Sequence, residues 1–169
     1  MIVGGLRRRI IKENLYLMLE KSLTDLGWFE STLVDYPVEL LTEAVENPKE
    51  ITPNKIAISA EELSAREWEM GSDLDEYRWE TYIDIFAEDE STGLHLSGDI
   101  YDILRGKMAS IGRSSASLDV YDLTQDGEPY LFTCELRNVE TARVREWTKE
   151  YGQYWWVVGF EILDYYYGE

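Results

Sequence analysis

The sequence predicts an α+β domain: a mixed or antiparallel sheet with two main helices packed on one face. Three observations carry that expectation. An apolar stripe at three-and-four spacing runs through the first 26 residues, Ile11, Leu15, Met18, Leu19, Leu23 and Leu26. The segment Tyr77–Ala87 (YRWETYIDIFA) alternates, with Tyr77, Trp79, Thr81, Ile83, Ile85 and Ala87 on one side and mostly charged residues on the other. Helix and strand signals then interleave without a repeat, which places helices on one face of a sheet.

The first helix is expected from Leu6 to Leu26, with Gly27 as its stop and Gly4 and Gly5 as a flexible lead-in. The pattern then loosens. VELLTEAVE (Val38–Glu46) reads as a short helix, and Pro37, Pro48 and Pro53 punctuate loops. Lys55–Ser59 (KIAIS) reads as a short strand, and EELSAREWEMGSDLDE after it as a loop or strand edge. The alternating strand Tyr77–Ala87 has one covered face, as an antiparallel strand does. A second helix starts near Ser91 or Thr92, either of which can cap it. Leu96, Ile100, Ile103 and Leu104 turn inward, Ser97 and Gly98 let a neighbour approach, and Gly106 ends the helix. Strands are expected at Leu118–Leu123 and Tyr130–Thr141, joined through the turn residues QDGEP. A last strand spans Tyr154–Tyr166. Its apolar residues lie on both sides, as in a strand covered on both faces or one at a subunit boundary, where Trp and Tyr concentrate.

The 169 residues fit one domain, 1–169, because a chain near this length buries roughly 70% of its unfolded surface. A 44% hydrophobic content is ordinary for a folded protein. The single cysteine, Cys134, leaves no intrachain disulfide and no cysteine-based zinc cluster. No run approaches the roughly 20 apolar residues of a membrane span. Lys12, Glu13 and Asn14 interrupt any signal-like core behind the N-terminal arginines, so no targeting segment is read.

Charge is the unusual bulk property, at a formal −18. It argues against nucleic acid as a tightly held ligand, since phosphates need neutralising cations. Residues 1–26 hold five basic side chains (Arg7, Arg8, Arg9, Lys12, Lys21) against three acidic ones; the remainder holds eleven against thirty-one. A basic helix on an acidic body offers complementary patches for head-to-tail self-assembly, and net charge alone also confers solubility.

Chemistry-bearing motifs are sparse. His95 is the single histidine, expected in the first turn of the second helix in a structural role. Cys134 reads as a small buried hydrophobe. Asp73–Glu76 (DLDE) lacks the glycine and distal glutamate of a calcium loop. Glu80 and Asp84 share a strand face in the manner of a glycosidase pair, but any acidic strand offers such pairs. Phosphate-cradling glycine motifs are missing. Catalytic, cofactor-binding and metal-binding residues are therefore each expected to be none, and the chain is not expected to be an enzyme. Aromatic stacking of nucleic acid at the C-terminus would need basic neighbours, and Glu150, Glu161, Asp164 and Glu169 carry the opposite sign.

Two segments, LRRRIIKENLYLML (Leu6–Leu19) and WETYIDIFAEDESTGLHLSGDIYDILRG (Trp79–Gly106), resemble the tail terminator proteins of long-tailed bacteriophages. The likeness rests on the order of amphipathic helix, long alternating strand and strand-turn-helix. It covers about half of the chain; the paired tryptophans Trp155 and Trp156 and the tyrosines at 165–167 lie outside it. The resemblance implies a structural virion protein at the tail-neck junction, assembled in the host bacterial cytoplasm. Such a protein forms a ring, a hexamer in that family, on the last tail-tube ring, stops polymerisation and joins the head-tail connector. It implies no cofactor and no membrane, with genomic DNA passing through the hole without specific binding. Two other readings stand beside it: an acidic DNA mimic that inhibits a nucleic-acid enzyme, and another neck or head-completion protein.

Overall fold

The computed structural model describes residues 4–30, 34, 37–43, 45, 51–67, 74–106, 117–144 and 154–167, with backbone alone at 60–67, 74–76 and 165–167. Helix α1 spans Gly4–Asp25 and is followed by a single 3-10 turn, Trp28–Glu30. Strands β1 (Glu39–Leu41), β2 (Lys55–Glu67) and β3 (Leu74–Ala87) precede helix α2 (Glu90–Leu104). Strands β4 (Ser117–Tyr121), β5 (Tyr130–Arg143) and β6 (Tyr154–Tyr167) complete the domain. The six strands form one sheet in the order β1-β2-β3-β6-β5-β4. Among the described strands only the β1–β2 pair is parallel, so the sheet is mixed.

Both helices cover the same face, and the fold is α+β. Ile11, Leu15, Leu19 and Leu23 of α1 are buried in one core with Leu96, Ile100 and Leu104 of α2. Opposite them stand Trp79, Ile83 and Ile85 of β3 and Val158, Phe160 and Ile162 of β6. The register pairs Ile83 with Val158 and Thr81 with Phe160, so the alternation of the two strands points one set of side chains at the helices. Leu26, expected on the inward stripe, lies beyond the helix end and is exposed. Gly27 takes φ +80 there, a left-handed stop that glycine adopts without steric cost.

Local caps differ from the sequence expectation. Asp89, rather than Ser91 or Thr92, caps α2: its Oδ1 accepts the Thr92 N–H at 2.7 Å. Thr92 is thus the capped residue. Gly106 (φ 66) ends that helix as expected. The close approach predicted at Gly98 occurs one turn earlier. A Cβ on Gly98 would meet nothing within 4 Å, whereas one on Gly93 would sit 2.2 Å from Nε1 of Trp156. Gly93 is therefore what lets α2 lie against β6.

Val38–Leu41 is the clearest correction. Its burial alternates, Val38 in, Glu39 out, Leu40 in, which is a strand's period and not a helix's. β1 is held by Asn54, which takes φ 63 and is fully buried. The Asn54 carbonyl accepts the Glu39 N–H (2.9 Å), its own N–H donates to Phe86 (2.6 Å), and its Oδ1 accepts the Glu88 N–H (3.2 Å). Asparagine tolerates the left-handed region, and here one residue ties three strands together. β2 also runs on to Glu67, well past the expected Ser59, by pairing with β3 down to Glu67 opposite Asp75. A register shift between Glu62 and Ser64 erases the alternation that would have signalled it. The stretch 68–73 lies outside the described residues.

The QDGEP turn forms between β4 and β5 as expected, with Gly127 at φ 84 and the Asp122 N–H donating to Pro129 (2.9 Å). α1 is tied to this end of the sheet by Asn14. The buried amide accepts the Tyr121 N–H (3.0 Å) and donates to the Tyr121 carbonyl (2.9 Å), pairing with the last residue of edge strand β4 as another strand would. Asn14→Ala would leave both Tyr121 backbone groups without their partner in a partly buried setting. The expected loss is about 1–3 kcal/mol of unfolding free energy, read from urea denaturation, with helix content unchanged.

Candidate interaction surface

The sheet's second face, away from the helices, collects Arg78, Glu80, Tyr82, Asp84 and Phe86 of β3 beside Trp155, Val157, Gly159, Glu161 and Leu163 of β6. The strand period that buries one set of residues against the helices delivers this set to the other side. Phe86 stacks on Trp155, ring centroids 5.5 Å apart and planes 29° apart. The Trp155 indole N–H donates to Asp84 at 2.9 Å. Tyr82 lies across Gly159, where a Cβ would come within 3.4 Å of the ring. Along the far rim, Asn138 donates to Glu161 (3.0 Å) and Arg137 to Glu135 (2.8 Å). Asn138 takes φ 53 within a register shift of β5, between Arg137 and Glu140.

Physically this is a half-apolar platform with charged rims. Trp155 and Val157 are half-buried, whereas Phe86 and Leu163 are buried outright. Burial pushes the Asp84 carboxyl above its ordinary value, opposed by the hydrogen bond from Trp155. Glu80 and Asp84 do not form a reacting pair: four residues along a strand separate them by about 13 Å, beyond the roughly 5–9.5 Å of glycosidase carboxylates.

The other candidate residues are dispersed. His95 is exposed in the second turn of α2, one turn later than the sequence suggested. Cys134 is buried in β5, its thiol pushed far up by burial and by the Asp164 carboxylate, against a smaller opposite pull from Arg7. A thiol so placed is a poor nucleophile. Asp73 lies outside the described residues, as do the side chains of 74–76. Among the described residues, no three His, Cys, Asp or Glu side chains are grouped to hold a metal ion.

The basic cluster at Arg7–Arg9 does not form one surface patch. Arg7 turns inward, only 6% exposed, and its Nε and Nη2 grip both oxygens of Asp164, which is fully buried; the Nη2–Oδ1 contact is 2.6 Å. Its guanidinium lies 3.6 Å from the centroid of the Phe132 ring. Arg9 bridges to Glu13 at 2.9 Å, one turn on. The cluster is divided between core and surface because a helix spreads consecutive residues around its axis. Asp164 likewise offers its charge to Arg7 and not to solvent. Nothing in the sequence marked this pair, whose members stand 157 positions apart.

No protein-family model matches the chain, and no curated protein is similar to it in sequence. Among the described residues, no helix is long and apolar enough to cross a membrane.

Asp84 provides a pH signature for the platform. A raised folded-state pKa means the folded chain holds this proton more tightly than the unfolded one. Its contribution to stability is therefore present at low pH and lost as pH rises from the ordinary value of 3.8 through the folded value. Asp84→Asn removes that loss and retains an acceptor for Trp155. Denaturation midpoints of the two proteins should agree in this contribution near pH 3 and separate in favour of the variant toward pH 7. A constant difference across that range would mean that Asp84 is solvated as an ordinary carboxylate.

Proposed function

We propose that this chain is a structural virion protein that caps the tail tube of a long-tailed bacteriophage as a ring, stops its polymerisation and provides the joint to the head connector. Its partners are further copies of itself, the tail-tube protein and the connector or neck proteins, and it carries out no reaction. The carrying observation is the resemblance of Leu6–Leu19 and Trp79–Gly106 to tail terminators. In support, these segments supply most of α1, most of β3 and all of α2, which contribute to a single core. The acidity also suits a ring threaded by DNA, since carboxylates around a hole repel phosphates at short range, within the roughly 8–10 Å screening length of physiological salt.

The −18 charge favours a second reading, an acidic mimic that occupies the DNA site of a nucleic-acid enzyme. Another neck or head-completion protein would present similar surfaces to different neighbours.

Particles assembled without the protein separate these readings. The proposal expects tails of irregular length, unjoined to capsids, restored by supplying the chain. Tails of normal length firmly attached to heads would contradict it. A mimic would instead compete with DNA for a nuclease in a purified assay and leave tail assembly untouched.

A further inference from the structure

Helix α2 has a solvent face centred on Gly98. At roughly 100° per residue, Leu96, Ile100, Ile103 and Leu104 turn to the sheet, and Gly98 points the opposite way. On that outer face Leu94 is 57% exposed, and Ser91, His95 and Arg105 are exposed with it; Gly98, Tyr101 and Asp102 are half-buried. A Cβ on Gly98 would meet nothing within 4 Å, so the chain's own packing does not call for glycine there. Glycine inside a helix is destabilising relative to alanine, and what it adds is the close approach of a second backbone.

Charge singles out the same face. The chain carries a formal −18, yet this surface holds one acid, Asp102, and one base, Arg105. Arg105 folds back on its own helix, donating to the Tyr101 hydroxyl at 2.6 Å with its guanidinium 5.1 Å from the ring centroid. Glu90 is engaged by Arg143 at 2.5 Å, and Asp99 accepts the Trp28 indole N–H at 2.7 Å. Among the described residues, His95 and Asp102 make no such contact. A locally balanced surface is where two strongly acidic copies can meet with least repulsion.

The face is also self-complementary. Leu94 and Tyr101 lie on one side of Gly98, four residues before it and three after. His95 and Asp102 lie on the other side, three before and four after. A two-fold axis across the helix at Gly98 reverses direction along the helix and keeps each side on its own side. It therefore sets Leu94 against the second copy's Tyr101 and His95 against its Asp102, and each pair occurs twice. An imidazole N–H donates to a carboxylate oxygen, and leucine packs on a tyrosine ring. With glycine at the crossing, the axes can approach to about 8 Å, the close end of helix packing.

We infer that a second copy of this chain docks on the outer face of α2, the two helices crossing antiparallel at Gly98. The contact goes beyond the ring reading: a ring joins two different surfaces, whereas this contact uses one surface twice. One helix pair covers less than the roughly 800 Å² per partner of a standard interface, so the pairing is weak and concentration-dependent.

Sedimentation equilibrium of the full chain up to about 1 mM reads the pairing, and a monomer–dimer equilibrium is expected. Gly98→Glu sets two carboxylates at the axis, while the open space at Gly98 and the better helix propensity of glutamate preserve the fold. Association should weaken at least about tenfold, with an unchanged circular dichroism spectrum. His95→Asp should weaken it likewise, and the exchanged variant His95→Asp/Asp102→His should recover to within about threefold of wild type. Positions 95 and 102 stand two turns apart in one chain and do not meet there, so recovery reports contact between copies. A wild type that stays monomeric overturns the inference, as does association unaffected by Gly98→Glu. Larger assemblies that persist in Gly98→Glu would use another surface, leaving the ring reading standing and this contact refuted. Mild oxidation gives an independent readout, since Cys134 is buried. Gly98→Cys should form a covalent dimer at least about tenfold faster than Ser91→Cys, whose counterpart would lie about 21 Å away along the helix. Equal rates would contradict the crossing at Gly98.

Discussion

The Arg7–Asp164 pair is the constraint around which the domain is organised. A charged pair withdrawn from water carries a desolvation cost that only close, bidentate geometry offsets. Here both carboxylate oxygens are met by the guanidinium, and Phe132 covers its face. The pair joins the first turns of α1 to the last half of β6, fixing the rotation and height of the helix over the sheet. Once that rotation is set, Ile11, Leu15, Leu19 and Leu23 fall into the core, and Asn14 reaches the end of β4. Cys134 becomes a packed, unreactive neighbour of the same pair. The helix that looks like a basic appendage in the sequence is a structural member of the core, and its surface charge is smaller than the run of three arginines suggests.

The helices and β3 were legible because each follows one period over many residues. Leu96, Ile100, Ile103 and Leu104 are all inward, as their spacing requires. The QDGEP turn was equally legible, since Gly127 supplies the left-handed backbone that the turn needs. What the sequence concealed depends on partners distant along the chain. β1 is a strand because Asn54 and the start of β2 present it with an edge, and Val38–Leu41 is too short for its alternation to outweigh the helical look of the residues after it. The extension of β2 is held by a ladder to β3 across a register shift, so its side chains carry no clean period. Gly93 could not be singled out from Gly98 without knowing where Trp156 falls. The platform on the second sheet face was half visible: the alternation of β3 named its residues, but only the pairing with β6 shows that Phe86 and Asp84 meet Trp155.

Taken together, the domain divides its labour by face. One face is occupied by the helices and closed. The other holds an aromatic platform between charged rims. Of the candidate groups named from the sequence, Cys134 is buried, His95 is exposed on α2, and Glu80 and Asp84 stand too far apart to act as a pair. A protein built this way is suited to being held and to holding others, in keeping with a proposed place at the junction of a tail.

A double-mutant cycle on Arg7→Met and Asp164→Leu, read by urea denaturation, measures the buried charge pair directly. Each single change strands a desolvated charge and should cost about 3–5 kcal/mol, while the double change restores an uncharged core and should cost far less than the sum. Additive losses would contradict the account, because they would mean that the two side chains do not meet in solution and that α1 is anchored by its apolar stripe alone.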